Sequence, residues 1–304
     1  MIHLNHGQVL PARKSTRPIS AFLLVMFSAC FLPSCDNKDD EPPMSQAKVQ
    51  LRADAQLGTI LTDASNRTLY SFANDFNGEN NCTGGCLNLW PVFYAGDNLS
   101  QSMLATGLDL ADFGTVTTTA GTKQTTYKGW PLYYYAPVAG SYNTPEAAGE
   151  TNGEGIGGFW YVAKPDYTIF LLNTQLVGND GKNYTSDYVE GTGKTLFFTD
   201  ARGATLYTFT KDSSNNNNFT KPDLSNNSVW PIYETDKVIV PSTLDKTLVG
   251  SIDVFGKKQL TYKGWPLYYF GADNKQRGST KGVSFPSPGV RPVAVKNALP
   301  APVP

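Results

Sequence analysis

The sequence predicts an all-β protein in which two tandem copies of a hairpin-based β module form small barrels or sandwich-like units. Two observations support this fold class. Two separate stretches recur in the same order at nearly equal offsets, and the chain is poor in charged residues (17%) and rich in aromatic residues (12%). Charged residues make up about 25% of an average soluble domain, and aromatic residues favour strands. We therefore expect short strands joined by turns rather than long helices.

The clearest repeat is a run of nine identical residues. Residues 126–134, Thr-Tyr-Lys-Gly-Trp-Pro-Leu-Tyr-Tyr, recur as residues 261–269 at an offset of 135. Upstream, residues 61–72 parallel residues 198–209 at an offset of 137. Two ordered matches at nearly equal offsets indicate a duplicated module. The sequence therefore predicts a first β module over 48–165, a connecting segment over 166–183 and a second β module over 184–304.

Polar turns divide each module into hairpins. Residues 63–66 and 200–203 are polar and contain Asn or Gly, which tolerate positive φ. The Lys-Gly pairs at 128–129 and 263–264 predict tighter turns between aromatic and β-branched residues. We expect four hairpins, two in each module.

Residues 1–34 predict a lipoprotein signal peptide. A basic region contains Arg13, Lys14 and Arg17, and an apolar run of 14 residues follows over 19–32. This run is shorter than the roughly 20 residues that a membrane-spanning helix needs, and it has the length of a signal-peptide core. The sequence therefore predicts export from the cytoplasm.

Cys35 is the predicted lipidation site. Residues 32–35, Leu-Pro-Ser-Cys, resemble a lipobox, in which the cysteine is lipidated and becomes the first residue of the mature chain. Cys30, which follows Phe-Ser-Ala, is a second candidate. The alternatives are a freely secreted protein and a retained anchor. Acyl chains on Cys35 would attach the protein to a membrane, since each buried methylene contributes about 0.8 kcal/mol.

Residues 35–47 predict the lipidated cysteine and an acidic tether. Residues 36–43, Asp-Asn-Lys-Asp-Asp-Glu-Pro-Pro, contain nothing that a core could bury. The cluster over residues 38–41 resembles the acidic export signal of surface lipoproteins in Bacteroidota. This resemblance implies a location in the cell envelope, at the outer membrane or the cell surface.

The mature chain lacks the residues that several function classes require. Both histidines, His3 and His6, precede the predicted cleavage point. Their removal excludes histidine bases, Ser-His-Asp triads and His-ligated zinc. Removing the three positive charges of the signal peptide from a chain of net charge −1 leaves a net charge near −4, which argues against nucleic acid as a partner. The sequence predicts no cofactor, and no haem or flavin motif is present.

Three stretches fit the pattern Y-x-[FWY]-x-x-D. This pattern resembles that of the predicted bacterial lipoproteins with a Y-x-[FWY]-x-x-D motif, also called secreted repeat proteins with a Y-X4-D motif. A fourth stretch, residues 133–138, ends in Val138. The resemblance implies an extracytoplasmic repeat protein and no activity, because the family's function is unknown. The matching residues are Tyr70, Phe72, Asp75, Tyr207, Phe209, Asp212, Tyr268, Phe270 and Asp273.

Cys82 and Cys86 are the only cysteines in the body of the chain. Two nearby cysteines in an exported protein predict a disulfide, and the two glycines between them permit a tight loop. A redox-active or metal-binding pair is the alternative. The sequence shows no cationic partner or helix start that would lower a thiol pKa, so we expect a structural disulfide.

Four tryptophans precede proline, which holds its predecessor in an extended conformation. The first interpretation is a core pillar in each hairpin. The second is a platform on which a sugar ring or another flat ligand stacks. Because successive strand residues face opposite sides, Tyr134 and Tyr269 should face away from Tyr133 and Tyr268, which could leave one aromatic set exposed. The platform candidates are Trp90, Trp130, Trp230 and Trp265.

Asp75, Asp212 and Asp273 end their strands at matching positions. Aspartate in a turn bonds to backbone amides, which is the favoured interpretation. Residues 75–80 faintly resemble a calcium loop but lack the full pattern of oxygen ligands. Paired carboxylates for glycoside hydrolysis would need a raised pKa on one member.

These observations favour a non-enzymatic lipoprotein that binds or scaffolds an extracytoplasmic ligand. The expected partners are a membrane, through the lipid anchor, and an unidentified glycan or envelope protein. The alternatives are a carbohydrate- or polymer-binding module that uses exposed aromatics, and a redox or hydrolytic envelope enzyme.

Overall fold

Short antiparallel strands carry most of the regular structure of this protein. The computed structural model describes residues 47–137 and 143–304. The predicted signal peptide, Cys35, nearly all of the tether, and Val138 lie outside these residues. The strands are β1 (Val49–Asp54), β2 (Gly58–Asp63), β3 (Tyr70–Phe72), β4 (Phe113–Thr117), β5 (Lys123–Tyr127), β6 (Trp130–Pro131), β7 (Trp160–Val162), β8 (Phe170–Val177), β9 (Asn183–Tyr184), β10 (Lys194–Thr199), β11 (Val249–Val254), β12 (Lys257–Tyr262) and β13 (Trp265–Pro266).

The prediction of an all-β fold is confirmed. The α-helix of the described residues is a single turn, α1 (Cys86–Leu89), and the remaining helical segments are 3₁₀ turns. No helix within the described ranges is long and apolar enough to cross a bilayer. The 3₁₀ turns cover Gln101–Met103, Leu110–Asp112, Ile156–Gly158, Lys246–Leu248, Gly271–Asp273 and Lys281–Ser284.

The duplication is visible in the sheets. In the first repeat β1 pairs with β2, and β4, β5 and β6 form a three-stranded sheet. In the second repeat β10 pairs with β8, which also pairs with β9, and β11, β12 and β13 form the counterpart of β4–β6. All of these pairings are antiparallel. Each repeat thus combines a hairpin-like pair of strands with a three-stranded meander.

The predicted Lys-Gly turns connect β5 to β6 and β12 to β13. Lys128 and Gly129 have φ values of 49° and 78°, and Lys263 and Gly264 have 50° and 82°. Two consecutive residues with positive φ define the tight turn whose twist matches a hairpin. Glycine at the second position avoids the steric penalty that a Cβ would bring there.

The two repeats share a hydrophobic core. One cluster contains Trp130 and Tyr161 of the first repeat together with Phe170, Phe198 and Leu206. Two further clusters lie within the first repeat. Segment 166–183 contributes to this packing, because it contains β8, which pairs with β10. Described residues from both repeats therefore fold as one compact unit.

The paired tyrosines face opposite sides, but neither set is exposed. Tyr133 is fully buried in one cluster, whereas half-buried Tyr134 packs against another. Tyr268 and Tyr269 are both buried. The expectation of an exposed aromatic set was wrong, because both tyrosines of each pair pack within the hydrophobic clusters.

Candidate functional site

The motif residues of the second repeat form two reciprocal hydrogen bonds. The Tyr207 hydroxyl donates to Oδ2 of Asp273 over 2.5 Å, and the Tyr268 hydroxyl donates to Oδ2 of Asp212 over 2.7 Å. The two tyrosines also exchange backbone N–H···O bonds of 2.8 and 2.9 Å. Each motif thus supplies the tyrosine that binds the aspartate of the other motif.

The first repeat has the same arrangement with one substitution. The Tyr133 hydroxyl donates to Oδ2 of Asp75 over 2.7 Å, and the Tyr70 hydroxyl donates to Oε1 of Glu146. Glu146 therefore provides the acceptor that corresponds to Asp273. The fourth stretch ends in Val138 where the motif has aspartate. Tyr70 nevertheless has a carboxylate acceptor, because Glu146, from a later position in the chain, accepts its hydrogen bond.

Glycine backbone completes the site around each first tyrosine. The Gly153 N–H donates to the Tyr70 hydroxyl over 3.2 Å, and the Gly282 N–H donates to the Tyr207 hydroxyl over 3.3 Å. A Cβ at Gly153 would lie 2.8 Å from the Tyr70 ring. Close approach of the backbone to the ring therefore requires glycine here.

The second oxygen of each aspartate also has protein donors. Oδ1 of Asp75 accepts the N–H of Asn81 over 2.8 Å, and Oδ1 of Asp212 accepts the N–H of Asn218 over 2.8 Å. Oδ1 of Asp273 accepts the Ser279 hydroxyl and the Lys281 N–H. Asp75 and Asp212 thus bond to backbone amides at turns as well as to tyrosines. Their oxygens are engaged by the protein, which gives no support to a calcium loop over 75–80.

Burial dominates the electrostatics of these carboxyls. It raises the pKa of Asp75 to about 7 and that of Asp212 to about 6, against the opposing effect of their hydrogen bonds. Burial also raises the pKa of Glu146 and of Asp273. The raised pKa of Asp75 has the direction that a general acid needs, but this side chain is 0% exposed, so a glycosidic substrate would not reach it.

A pair of amide side chains supports each meander. The Gln124 amide donates to the Leu132 carbonyl, and its own oxygen accepts from Asn80. Gln259 donates to the Leu267 carbonyl and accepts from Asn217 in the same way. The sequence showed that Gln124 and Gln259 correspond, but the asparagine partners are more than 40 residues away and gave no signal.

The tryptophans are distributed unequally between core and surface. Trp90, Trp130 and Trp230 are buried, whereas Trp265 is half-buried. Trp90 stacks on Trp160, with the ring centroids 3.7 Å apart. Three of the four platform candidates therefore have no face available to a sugar ring, which agrees with their interpretation as core pillars.

Cys82 and Cys86 form a disulfide, as predicted. Cys82 is buried among Trp90 and Tyr133 of the same hydrophobic cluster. Helix α1 begins at Cys86, although the sequence indicated no helix start there. The disulfide therefore closes the loop that leads into this one-turn helix.

An apolar cavity of about 320 Å³ opens beside Trp265. The sequence gave no signal for it beyond the candidate Trp265 itself. Its walls come from β10, the end of β12, β13, residues 186–188 and 208–210, and the segment that follows Arg291, and none of the lining side chains is charged. The lining residues are Ser186, Tyr188, Thr195, Thr208, Thr210, Tyr262, Trp265, Pro292, Val293, Ala294, Val295, Ala298 and Leu299.

Comparison with known proteins agrees with the repeat architecture. No curated protein and no solved structure matches the chain. A family described as a secreted repeat of unknown function, Lipoprotein_15, matches residues 52–94, 114–137 and 253–285. These stretches contain Tyr70, Tyr133 and Tyr268 of the buried pairs, and they indicate an extracellular or envelope location. Over about a third of its length, then, this chain is similar to a secreted repeat of unknown function.

Proposed function

We propose that this protein is a lipid-anchored envelope protein that binds another extracytoplasmic component and catalyses no reaction. One contrast carries the proposal. The repeated tyrosines and carboxylates are buried and bonded to each other, whereas the apolar cavity beside Trp265 is open to solvent. Residues with catalytic potential thus stabilise the fold, and the accessible concave surface suits binding.

The lipid anchor is assigned to Cys35 on the basis of the lipobox-like sequence. Cys35→Ala should move the full-length protein from the membrane fraction to the soluble fraction, because a chain without acyl groups loses its apolar contact with the bilayer. Cys30→Ala is the matched control and should leave the protein in the membrane fraction. Release by Cys30→Ala alone would transfer the anchor to Cys30. Retention of both variants would refute a cysteine-linked anchor.

The nature of the bound component is tested by thermal melting of the full-length protein. A ligand present at about one hundred times its dissociation constant stabilises a protein by about 2.7 kcal/mol. We expect no shift with calcium, because Asp75 and Asp212 already bond to protein donors. A shift with soluble glycans that is lost in Trp265→Ala would establish the carbohydrate-binding alternative instead.

A further inference from the structure

The cavity beside Trp265 has a filled counterpart in the first repeat. Trp265 corresponds to Trp130 and Tyr262 to Tyr127 in the nine-residue repeat. Ala294 corresponds to Ala163, because the carbonyl of Ala294 accepts from the Phe198 N–H and that of Ala163 from the Leu61 N–H, at equivalent positions of β10 and β2. The same structural elements therefore build both sites.

An aromatic side chain from the next repeat fills the site in the first repeat. Phe170, at the start of β8, packs edge-on against Trp130 with ring centroids 4.6 Å apart. Tyr167 packs against Phe170 at 4.9 Å. The Trp130 indole N–H donates to the Ala201 carbonyl over 2.9 Å. Only about 10 Å³ remains open between these side chains.

The second repeat keeps the hydrogen bond but lacks the inserted ring. The Trp265 indole N–H donates to the Leu299 carbonyl over 2.8 Å, so the C-terminal segment replaces Ala201. The space that corresponds to that of Phe170 is open, and the Leu299 side chain beside it is 82% exposed. This repeat therefore presents to solvent the surface that the first repeat uses to bind its neighbour.

The size and chemistry of the cavity specify its occupant. An apolar cavity of about 150 Å³ holds one benzene ring, so a volume of about 320 Å³ accommodates one or two aromatic side chains, as Tyr167 and Phe170 are accommodated in the first repeat. The uncharged lining gives no counter-ion to a charged group. Apolar, aromatic side chains of a polypeptide fit both requirements.

A second copy of this chain does not present that side chain in the same geometry. Phe170 pairs with Thr199 of β10, and the equivalent pair in the first repeat is Gln50 with Thr62. A copy docked by its first repeat would therefore insert Gln50, whose amide already donates to the Ala64 carbonyl. We therefore assign the occupant to a different polypeptide.

We propose that the cavity beside Trp265 binds an aromatic side chain carried on an extended segment of another polypeptide, as Trp130 binds Phe170. This inference rests on the proposed binding function and specifies its partner. The partner's strand supplies one or two aromatic rings followed by apolar residues. Another chain would thus place an aromatic ring where Phe170 lies in the first repeat.

The test uses a synthetic peptide of residues 164–172, Lys-Pro-Asp-Tyr-Thr-Ile-Phe-Leu-Leu, titrated into the full-length protein. Binding is followed through the NMR signal of the Trp265 indole N–H, up to about 1 mM peptide, where even weak complexes are populated. We expect a saturable shift, and at least tenfold weaker binding for the same peptide with serine in place of Phe170. Absence of binding, or equal binding of the two peptides, overturns the proposal.

Protein variants locate the binding and keep the test independent of folding defects. Ala298→Trp should fill the cavity and Leu299→Ser should remove an exposed apolar wall, each weakening binding at least tenfold. Ala120→Trp, at an exposed turn of the first repeat, should leave binding unchanged. Unchanged binding in both cavity variants overturns the proposal, as does a dimer that Ala298→Trp dissociates. Membrane fractionation of Cys35→Ala is independent of each of these results.

Discussion

The two repeats use the same tyrosine–carboxylate pairs but fill the neighbouring layer with opposite chemistry. In the first repeat Trp160 lies between Phe72 and Trp90, with centroid distances of 3.9 and 3.7 Å. In the second repeat Arg291 occupies the equivalent position, three residues before Ala294. An indole and a guanidinium share little except a flat shape.

The aromatic surroundings allow the exchange. The Arg291 guanidinium lies 3.6 Å from the centroid of Phe209 and 4.5 Å from that of Trp230, so cation–π attraction replaces ring stacking. Arg291 is 1% exposed, and both of its Nη atoms lack a hydrogen-bond partner. Burial lowers its pKa to about 10, while the carboxylate of Asp212 favours the charge. The side chain at this position is therefore planar in both repeats, and the Asp212 carboxylate stabilises the positive charge of Arg291.

The largest difference is expected from removal of the carboxylates. Asp212→Ala deprives Tyr268 and the Asn218 N–H of their acceptor and leaves Arg291 without its carboxylate, so it should lower the free energy of unfolding by about 3–5 kcal/mol. Asp75→Ala should cost less, because Arg277 near it still donates to the Lys128 carbonyl. Urea unfolding of both variants measures the two values.

Coupling between Arg291 and Asp212 sharpens this expectation. In a double-mutant cycle, Asp212→Ala should lower the free energy of unfolding less in the Arg291→Met background, because no unpaired buried cation then remains. Additive losses would mean that Arg291 does not depend on Asp212.

The same substitution should act differently in the two stacked layers. Trp160→Met removes a ring stacked on both faces and should cost about 3 kcal/mol. Arg291→Met removes a cation with unpartnered nitrogens but leaves the Asp212 carboxylate without it, so it should cost less, about 1 kcal/mol. Thermal unfolding at pH 7 compares them. Equal losses would show that Arg291 contributes as much as the indole.

The disulfide of the described residues lies in the first repeat. The backbone N–H groups of Asn81 and Asn218 donate to equivalent aspartates, so Cys82 corresponds to Phe219, which packs against Tyr268 and Arg291. Closing a five-residue loop contributes about 2 kcal/mol in the chain-entropy treatment. The double variant Cys82→Ser/Cys86→Ser should lose about that amount. Reduction of the unsubstituted protein should give the same loss, and a reductant should leave the double variant unchanged.

The stability should also depend on pH. The folded-state pKa values of Asp75 and Asp212 are raised to about 7 and about 6, so between pH 4 and pH 6 the folded state binds more protons than the unfolded state. Each carboxyl should therefore lower the stability by up to about 1.4 kcal/mol per pH unit as the pH rises through this range. The contribution of Asp212 should level off about one pH unit before that of Asp75.

Unfolding measured from pH 4.5 to pH 8 tests this order. Asp75→Asn should remove the dependence that persists between pH 6 and pH 7, and Asp212→Asn should leave it in place. A stability that rises with pH over this range would contradict the assignment.

Local features of the fold followed from the sequence, and long-range partners did not. The Lys128–Gly129 turn is readable because two adjacent residues determine its backbone. The disulfide is readable because its cysteines are four residues apart. The acceptor of Tyr207, by contrast, lies 66 residues away at Asp273, and nothing in the motif states that each tyrosine binds the aspartate of the other motif.

The candidate binding site was less predictable still. Tryptophan followed by proline occurs four times, yet burial separates Trp265 from the other three. Trp130 and Trp265 stand at equivalent positions, and their difference in burial depends on Phe170, which belongs to segment 166–183 and packs against Trp130. Arg291 gave no signal, because a single arginine in a sequence is ordinarily solvated and only its aromatic neighbours make its burial possible.

Gln50 and Phe170 stand at equivalent positions, and this difference decides which contacts each repeat can make with a neighbouring repeat. The Gln50 amide donates to the Ala64 carbonyl. The equivalent carbonyl in the second repeat, that of Ala201, accepts the indole N–H of Trp130 from the first repeat. In the first repeat the Ala64 carbonyl is therefore bonded to Gln50 instead of an indole, whereas the second repeat has an open apolar cavity beside Trp265. A repeat can therefore donate an aromatic ring to its neighbour only where phenylalanine stands at the position of Phe170, and Gln50 at the equivalent position of the first repeat cannot make this contact.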